Sequence, residues 1–265
     1  MNEQTPAAPA APREGDRLNK WLARAGAASR RDADRAIQEG RVRINNEVVT
    51  VLGSFVQAGD LVQYDGKLID APDRTRLWRY HKPAGLVTTH KDPQGRATVF
   101  EKMAPGFPRV VSVGRLDLNS EGLLLLTNDG ALARRLELPA NAWLRRYRAR
   151  VFGVVEPAML AELAGGVSIE GVRYGPIEAG LDSRKGDNSW LTLSLREGKN
   201  REVRRVLAHL GLQVTRLIRV AYGPFQLGAM ARGVVEEVPP KVLREQLTDI
   251  APPPRPRPAR RPPAA

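Results

Sequence analysis

The sequence predicts an α+β protein of two units: a small N-terminal one of helices and strands, and a larger one built on a mixed, largely antiparallel β-sheet with flanking helices. Two observations carry this. Between residues 16 and 66 apolar residues first recur with helical period and then alternate with period two. From about residue 78, short strand signals that often end in Gly or Pro are punctuated by helices rather than alternating with them, which disfavours a doubly wound parallel sheet. A chain of 265 residues has room for both units.

In the first unit, Leu18, Trp21, Leu22 and Ala25 fall at i, i+3, i+4 and i+7, the stripe of an amphipathic helix that Gly26 stops. Ser29 caps a second helix whose apolar face is Ala33, Ala36 and Ile37 and whose C-terminal glycine is Gly40. Val42 and Ile44 then alternate with Arg41 and Arg43 as a strand, Asn45-Asn46 turns the chain, and Val48 to Val51 returns as its partner. Another strand, Leu61 to Tyr64, ends at Asp65-Gly66, and the polar stretch 67 to 77 is expected to be a linker. In the larger unit strands are expected at Gly85 to Thr89, Val110 to Val113, Leu123 to Thr127, Tyr147 to Phe152 and Trp190 to Leu195. Helices are expected near 130 to 137, 157 to 164 and 201 to 210. The expected domains are therefore 16–76 and 77–250, between disordered tails: the Ala/Pro-rich residues 1–15 and the basic Pro/Arg-rich residues 251–265.

Composition narrows the function. Forty-two Lys and Arg against 29 Asp and Glu leave a net charge of +13, which points to a polyanionic partner, with nucleic acid foremost. The chain has no cysteine, which removes disulfides, thiolate metal sites and cysteine nucleophiles, and three scattered histidines make no metal cluster. No run approaches the ~20 apolar residues of a membrane helix, and residues 1–13 lack the basic start and apolar stretch of a secretory signal, so a cytoplasmic location and no membrane partner are expected. Phosphate-loop, dinucleotide and zinc-hydrolase motifs are missing, so neither a nucleotide cofactor nor a metal is expected, and side chains alone do any chemistry.

Three segments carry candidate sites. Along the strand around Tyr147, Arg146, Arg148 and Arg150 share one face and Tyr147, Ala149 and Val151 the other, and a ladder of arginines suits a phosphate backbone. In EGKNREVRRVLAHLG, Val203, Val206, Leu207 and Leu210 form a buried stripe beside Arg201, Arg204 and Arg205, with Asn200 placed to cap the helix. Arginines in a first helical turn oppose the macrodipole, so anions are expected nearby. Asp117, in the polar turn 117 to 122 between two strands, stands at the rim of a sheet; taken alone it is a common turn former.

The order helix, helix, strands in RLNKWLARAGAASRRDADRAIQEGRVRINNEVV, with Arg24, Arg30, Arg31, Arg35, Arg41 and Arg43 strung through it, resembles the S4 RNA-binding domain. VGRLDLNSEGLLLLTNDG resembles the catalytic signature of the RsuA-type pseudouridine synthases, and YHKPAGLVTT, DPQGRATVFEKM and RRYRARVFG resemble that family's other segments, in the same order. GKNREVRR followed by TRLIRVAYG is most similar to the RluB-type members, which modify large-subunit ribosomal RNA.

The resemblance implies that Asp117 is the essential carboxylate, that Arg204 is the cation paired with it, and that Tyr147 lines the uracil pocket. It further implies that Arg115 fills the space left by a flipped nucleotide; Leu116 and Val203 are expected to give apolar walls, and Arg146 and Arg148 of the strand ladder and Arg201 at the helix start are expected as further substrate contacts. The implied activity is isomerisation of a specific uridine in 23S ribosomal RNA, free or in a large-subunit assembly intermediate, by a monomer without cofactor. The carboxylate either attacks C1′ or stabilises cationic character there. A catalytically idle ribosome-assembly factor or RNA chaperone would explain the charge and the S4-like unit, but not Asp117, Tyr147 and Arg204 together.

Overall fold

A computed structural model describes residues 15–246; the tails expected at 1–15 and 251–265 lie, Gly15 apart, outside the described residues. The chain divides into two units between Arg74 and Thr75. The boundary falls just before the expected one because Thr75 and Arg76 already belong to the larger unit. The Thr75 hydroxyl donates to Asp129 (2.8 Å), and the Arg76 backbone N–H donates to the Asn128 side chain (2.8 Å).

The first unit runs β1 (Asp16–Arg17), α1 (Leu18–Arg24), α2 (Arg30–Gln38), β2 (Val42–Ile44), β3 (Glu47–Val48), β4 (Phe55–Val56), β5 (Val62–Tyr64) and β6 (Lys67–Ile69). Leu18, Leu22, Ala33, Ala36, Ile37 and Val42 bury against Val56 and Val62. Ser29 caps α2 as expected, its hydroxyl accepting from the Asp32 N–H at 3.1 Å. Asn45 and Asn46 both take positive φ (51° and 68°), as do Asp65 and Gly66 (51° and 74°), the conformation that two-residue hairpins require. The second of these turns corrects the linker expectation, since it folds Lys67–Ile69 back onto β5 in a sheet of order β3-β2-β5-β6. β3 stops at Val48, short of the partner strand expected to reach Val51.

The larger unit runs β7 (Leu77–Lys82), β8 (Val111–Val113), β9 (Ser120–Thr127), α3 (Gly130–Glu137), β10 (Arg145–Phe152), α4 (Pro157–Glu162), β11 (Val167–Ile169), β12 (Val172–Tyr174), β13 (Ile177–Lys185), β14 (Asn188–Leu195), α5 (Glu202–His209), β15 (Gln213–Tyr222), β16 (Phe225–Gln226), β17 (Val235–Glu237) and α6 (Pro240–Gln246). The expected strand over Gly85 to Thr89 is reduced to a single bridge, Val87 to Thr98. The main sheet has the order β13-β14-β10-β15-β9-β7-β17, with β16 on β15 and β8 on β9, and is antiparallel except where β9 meets β15.

Both faces of β9 are covered, which is why Leu123 to Leu126 read as a continuous apolar run: Leu124 and Leu126 join one core with Tyr147, Val203 and Val206, and Leu123 and Leu125 join another with α3. At the parallel junction Gly122 has φ +105°, and a Cβ there would lie 2.3 Å from the Arg219 carbonyl oxygen. Only glycine permits this approach, which sets the entry of β9 and with it the turn that carries Asp117.

Candidate active site

Asp117 sits immediately before β9 in a turn closed by the Ser120 N–H donating to the Asp117 carbonyl at 3.0 Å. Around it each backbone carbonyl has a donor. The Thr88 hydroxyl donates to Leu116 (2.9 Å), the Gly85 N–H to Leu118 (2.8 Å), and the Arg204 guanidinium to Asn119 (2.9 Å). Beneath them Lys82, fully buried at the end of β7, points its ammonium at the carbonyls of Pro83 (3.0 Å), Asp117 (3.1 Å) and Ser120 (2.9 Å). Burial pulls Lys82 down to about 8, while the nearby charges of Asp117 and Glu121 oppose the fall.

The Asp117 carboxylate, by contrast, accepts no hydrogen bond among the described residues and is 24% exposed. A loop tied at nearly every carbonyl thus presents one unengaged carboxylate. Its nearest cation is Arg201, with Nη1 at 3.8 Å from Oδ2.

This corrects the expected pairing. Arg204 is within electrostatic reach of Asp117, but its guanidinium donates to the carbonyls of Asn119 (2.9 Å) and Val214 (3.2 Å), and its buried Nε finds no partner. Burial and the like charge of Arg201 lower the Arg204 pKa, with Asp117 acting against them. Arg204 therefore fastens the Asp117 turn to α5 and β15, while Arg201 supplies the close charge. The helix start differs as well: Arg201, not Asn200, takes the capping position of α5, in left-handed backbone (φ 50°, ψ 29°) that a non-glycine residue adopts at a cost.

Leu116, Tyr147 and Val203 belong to the same buried core. Arg115 is exposed, while Arg146 and Arg148 lie on the opposite side of β10 from Tyr147, as alternation predicts, so they do not join the cluster. In the first unit Arg24 pairs with Asp16 (3.1 Å) and Arg41 with Glu39 (2.8 Å) and Asp65 (2.6 Å). Arg30, Arg31, Arg35 and Arg43 stay exposed, with no ion pair among the described residues.

Two features lie within the segments YHKPAGLVTT and EGKNREVRRVLAHLG at residues to which the sequence reading gave no role. One is the Lys82 clamp. The other is a buried carboxyl pair under the start of α5: Glu202 is 3% exposed, its Oε2 accepts from the Lys199 N–H (2.8 Å), and Glu197 lies beside it, holding the Gly175 N–H (2.6 Å) and the Lys199 ammonium. Burial first, and then the neighbouring Glu197, push Glu202 up to about 8. The folded state therefore holds a proton that the unfolded chain releases near pH 4.5, and stability from this source falls as pH rises from about 5 through about 8. Glu202→Gln, which keeps a donor toward Glu197, is expected to flatten that fall in thermal unfolding measured between pH 5 and 9.

Residues 76–209 match the RNA pseudouridylate synthase family and residues 16–62 the S4 domain. An RNA pseudouridine synthase of Rickettsia felis is 43% identical over 229 residues, covering 86% of this chain and 99% of the relative. Ribosomal large subunit pseudouridine synthase B of Haemophilus influenzae is 42% identical over 236 residues, covering 85% of this chain and 65% of the relative. A crystal structure of a pseudouridylate synthase superposes with a TM-score of 0.60 at 26% identity, covering 87% of this chain and 99% of that one. The chain belongs to the RNA pseudouridine synthases, enzymes that isomerise uridine in RNA, and carries an S4 RNA-binding domain at its N-terminal side.

Proposed function

We propose that this enzyme isomerises a uridine of 23S ribosomal RNA, with the Asp117 carboxylate acting at C1′ of a nucleotide flipped out of its helix. One observation carries the assignment: Asp117 is presented without a hydrogen bond on a turn whose carbonyls are held by Lys82, Gly85, Thr88 and Arg204. The large-subunit target rests on the RluB-like segments and on the relatives named for that subunit.

The reaction breaks the bond from C1′ to N1, whose electron pair leaves with the uracil, and joins C1′ to C5. The C5 proton is then lost and N1 gains one. No atom is added or removed, so the balance calls for no redox partner or group donor. As positive character grows at C1′, the adjacent Asp117 carboxylate meets it, with the Arg201 guanidinium 3.8 Å away as its neighbouring cation. Tyr147 lines the base pocket, placing its hydroxyl to assist removal of the C5 proton, with Leu116 and Val203 as walls that keep water from the sugar. Arg115, exposed at the mouth, replaces the extruded base in the RNA stack. The S4 unit adds affinity through Arg30, Arg31, Arg35 and Arg43.

The enzyme works as a monomer, in the cytoplasm, on free rRNA or an assembly intermediate. Incubation of the purified protein with 23S and 16S transcripts, followed by mapping of pseudouridine, is expected to give one modified uridine in 23S. Modification confined to 16S, or of neither, would overturn the target.

A further inference from the structure

The sheet face opposite Tyr147 carries a cluster that the reaction does not use. Arg150 on β10 stands across from Trp190 on β14 and from Arg216 on β15, a row that β13 extends with Ser183. Together with Lys185 and Asn188 they line an open concavity of about 600 Å³. Farther along β10 on the same side, Phe152 is 48% exposed and leaves part of its ring open to solvent.

Two of the cations are already fixed. The Arg148 guanidinium lies 4.8 Å from the Trp190 ring and 3.3 Å from Asp182, and Arg216 lies 5.9 Å from the same ring while binding Glu121 through two bonds (2.8 and 3.0 Å). Arg150 and Lys185 have no acidic partner among the described residues, although such partners reduce the charge of their neighbours. Exposed cations without an acidic partner add no ion-pair stabilisation to the fold. Cations that track a backbone beside an aromatic surface are what a nucleic acid strand requires, phosphates taken by the cations and a base stacked on the ring. An acidic protein surface would complement the charge but leave Phe152 without a role.

We propose that this face is a second RNA-binding site, which holds a segment of the substrate RNA distant from the target uridine, its phosphates on Arg150 and Lys185 and a base on Phe152. The inference rests on the reading of Asp117 as the reacting group, which puts the chemistry on the Tyr147 side. β13 is the edge of the sheet and is exposed along most of its length, so a strand passes round it from one face to the other. Arg216 on this face is joined to Glu121 of β9, four residues beyond Asp117.

The test compares the full-length protein with two variants, Arg150→Gln/Lys185→Gln and Phe152→Ser, none of whose changed positions belongs to the reaction site. Affinity for a 23S rRNA transcript is measured by filter binding between 50 and 200 mM salt. The double variant is expected to bind about tenfold more weakly at 100 mM salt, and its log–log salt slope to be shallower by about 1.5, the loss of two phosphate contacts. Phe152→Ser is expected to lose several-fold in affinity with an unchanged slope, and both variants to keep the wild-type rate at saturating RNA. Affinities within twofold of wild type with unchanged slopes would overturn the proposal, and would leave an acidic protein as the occupant. Because affinity is read independently of turnover, a failure of the Asp117 assignment would show as retained catalysis in Asp117→Asn and leave these binding results standing.

Discussion

Asp117→Asn is expected to bind RNA as tightly as the wild type and to form pseudouridine slower by on the order of a thousandfold or more, about 4 kcal/mol of lost transition-state stabilisation. The amide keeps the size of the side chain and its place on the turn, because the contacts that fix the turn are made by backbone carbonyls and not by the carboxylate. What disappears is the negative charge that faces C1′. Single-turnover conversion of an rRNA substrate, with binding followed separately, reads the two effects apart. Loss of one negative charge near phosphates is neutral or mildly favourable for binding, so a defect confined to the chemical step is the expected pattern.

The second large effect is expected for Lys82→Met. Methionine fits the apolar stem of a fully buried lysine but removes the ammonium donor from the carbonyls of Pro83, Asp117 and Ser120, of which Asp117 keeps the Ser120 N–H. Unsatisfied buried carbonyls cost roughly 1–3 kcal/mol each, partly offset because the ammonium no longer has to be desolvated. The turn relaxes, and turnover is expected to fall by about a hundredfold, since small misplacement of a reacting group is costly. RNA affinity is expected to change little.

Lys82 also gives the wild type a pH signature. With its pKa pulled down to about 8, the ammonium loses its charge and one N–H as pH rises through that value, so the rate at saturating RNA is expected to decline there. Glu202→Gln, which removes a second group moved to about 8, is expected to keep the decline. Measured pH–rate profiles of wild type and Glu202→Gln check this, and a profile flat to pH 9 would remove Lys82 from the account.

Much of the fold is local enough to be read from the chain. Ser29, Asn45-Asn46 and Asp65-Gly66 act through their own backbone neighbours, and the alternation in Arg145–Phe152 fixes which residues are buried whatever the partner strands are. β13 is different: it is polar and exposed along most of its length and exists because β14 pairs with it, so no hydrophobic period marks it. The Asp117 turn was legible as a motif, while its electrostatics were not. Lys82 lies 35 residues before Asp117 in sequence, and only pairing of β7 with β9 brings the two together. The choice between Arg201 and Arg204 depends on the left-handed backbone at Arg201 and on the Asn119 carbonyl, neither of which has a sequence signature.

The most direct test of the account is a pseudouridine map of 23S rRNA from cells that lack the gene, complemented either with the wild-type protein or with Asp117→Asn. One pseudouridine is expected to be absent from the deletion strain, restored by the wild type and still absent with Asp117→Asn. An unchanged 23S map in the deletion strain would contradict the large-subunit target, and full restoration by Asp117→Asn would contradict the role of the carboxylate.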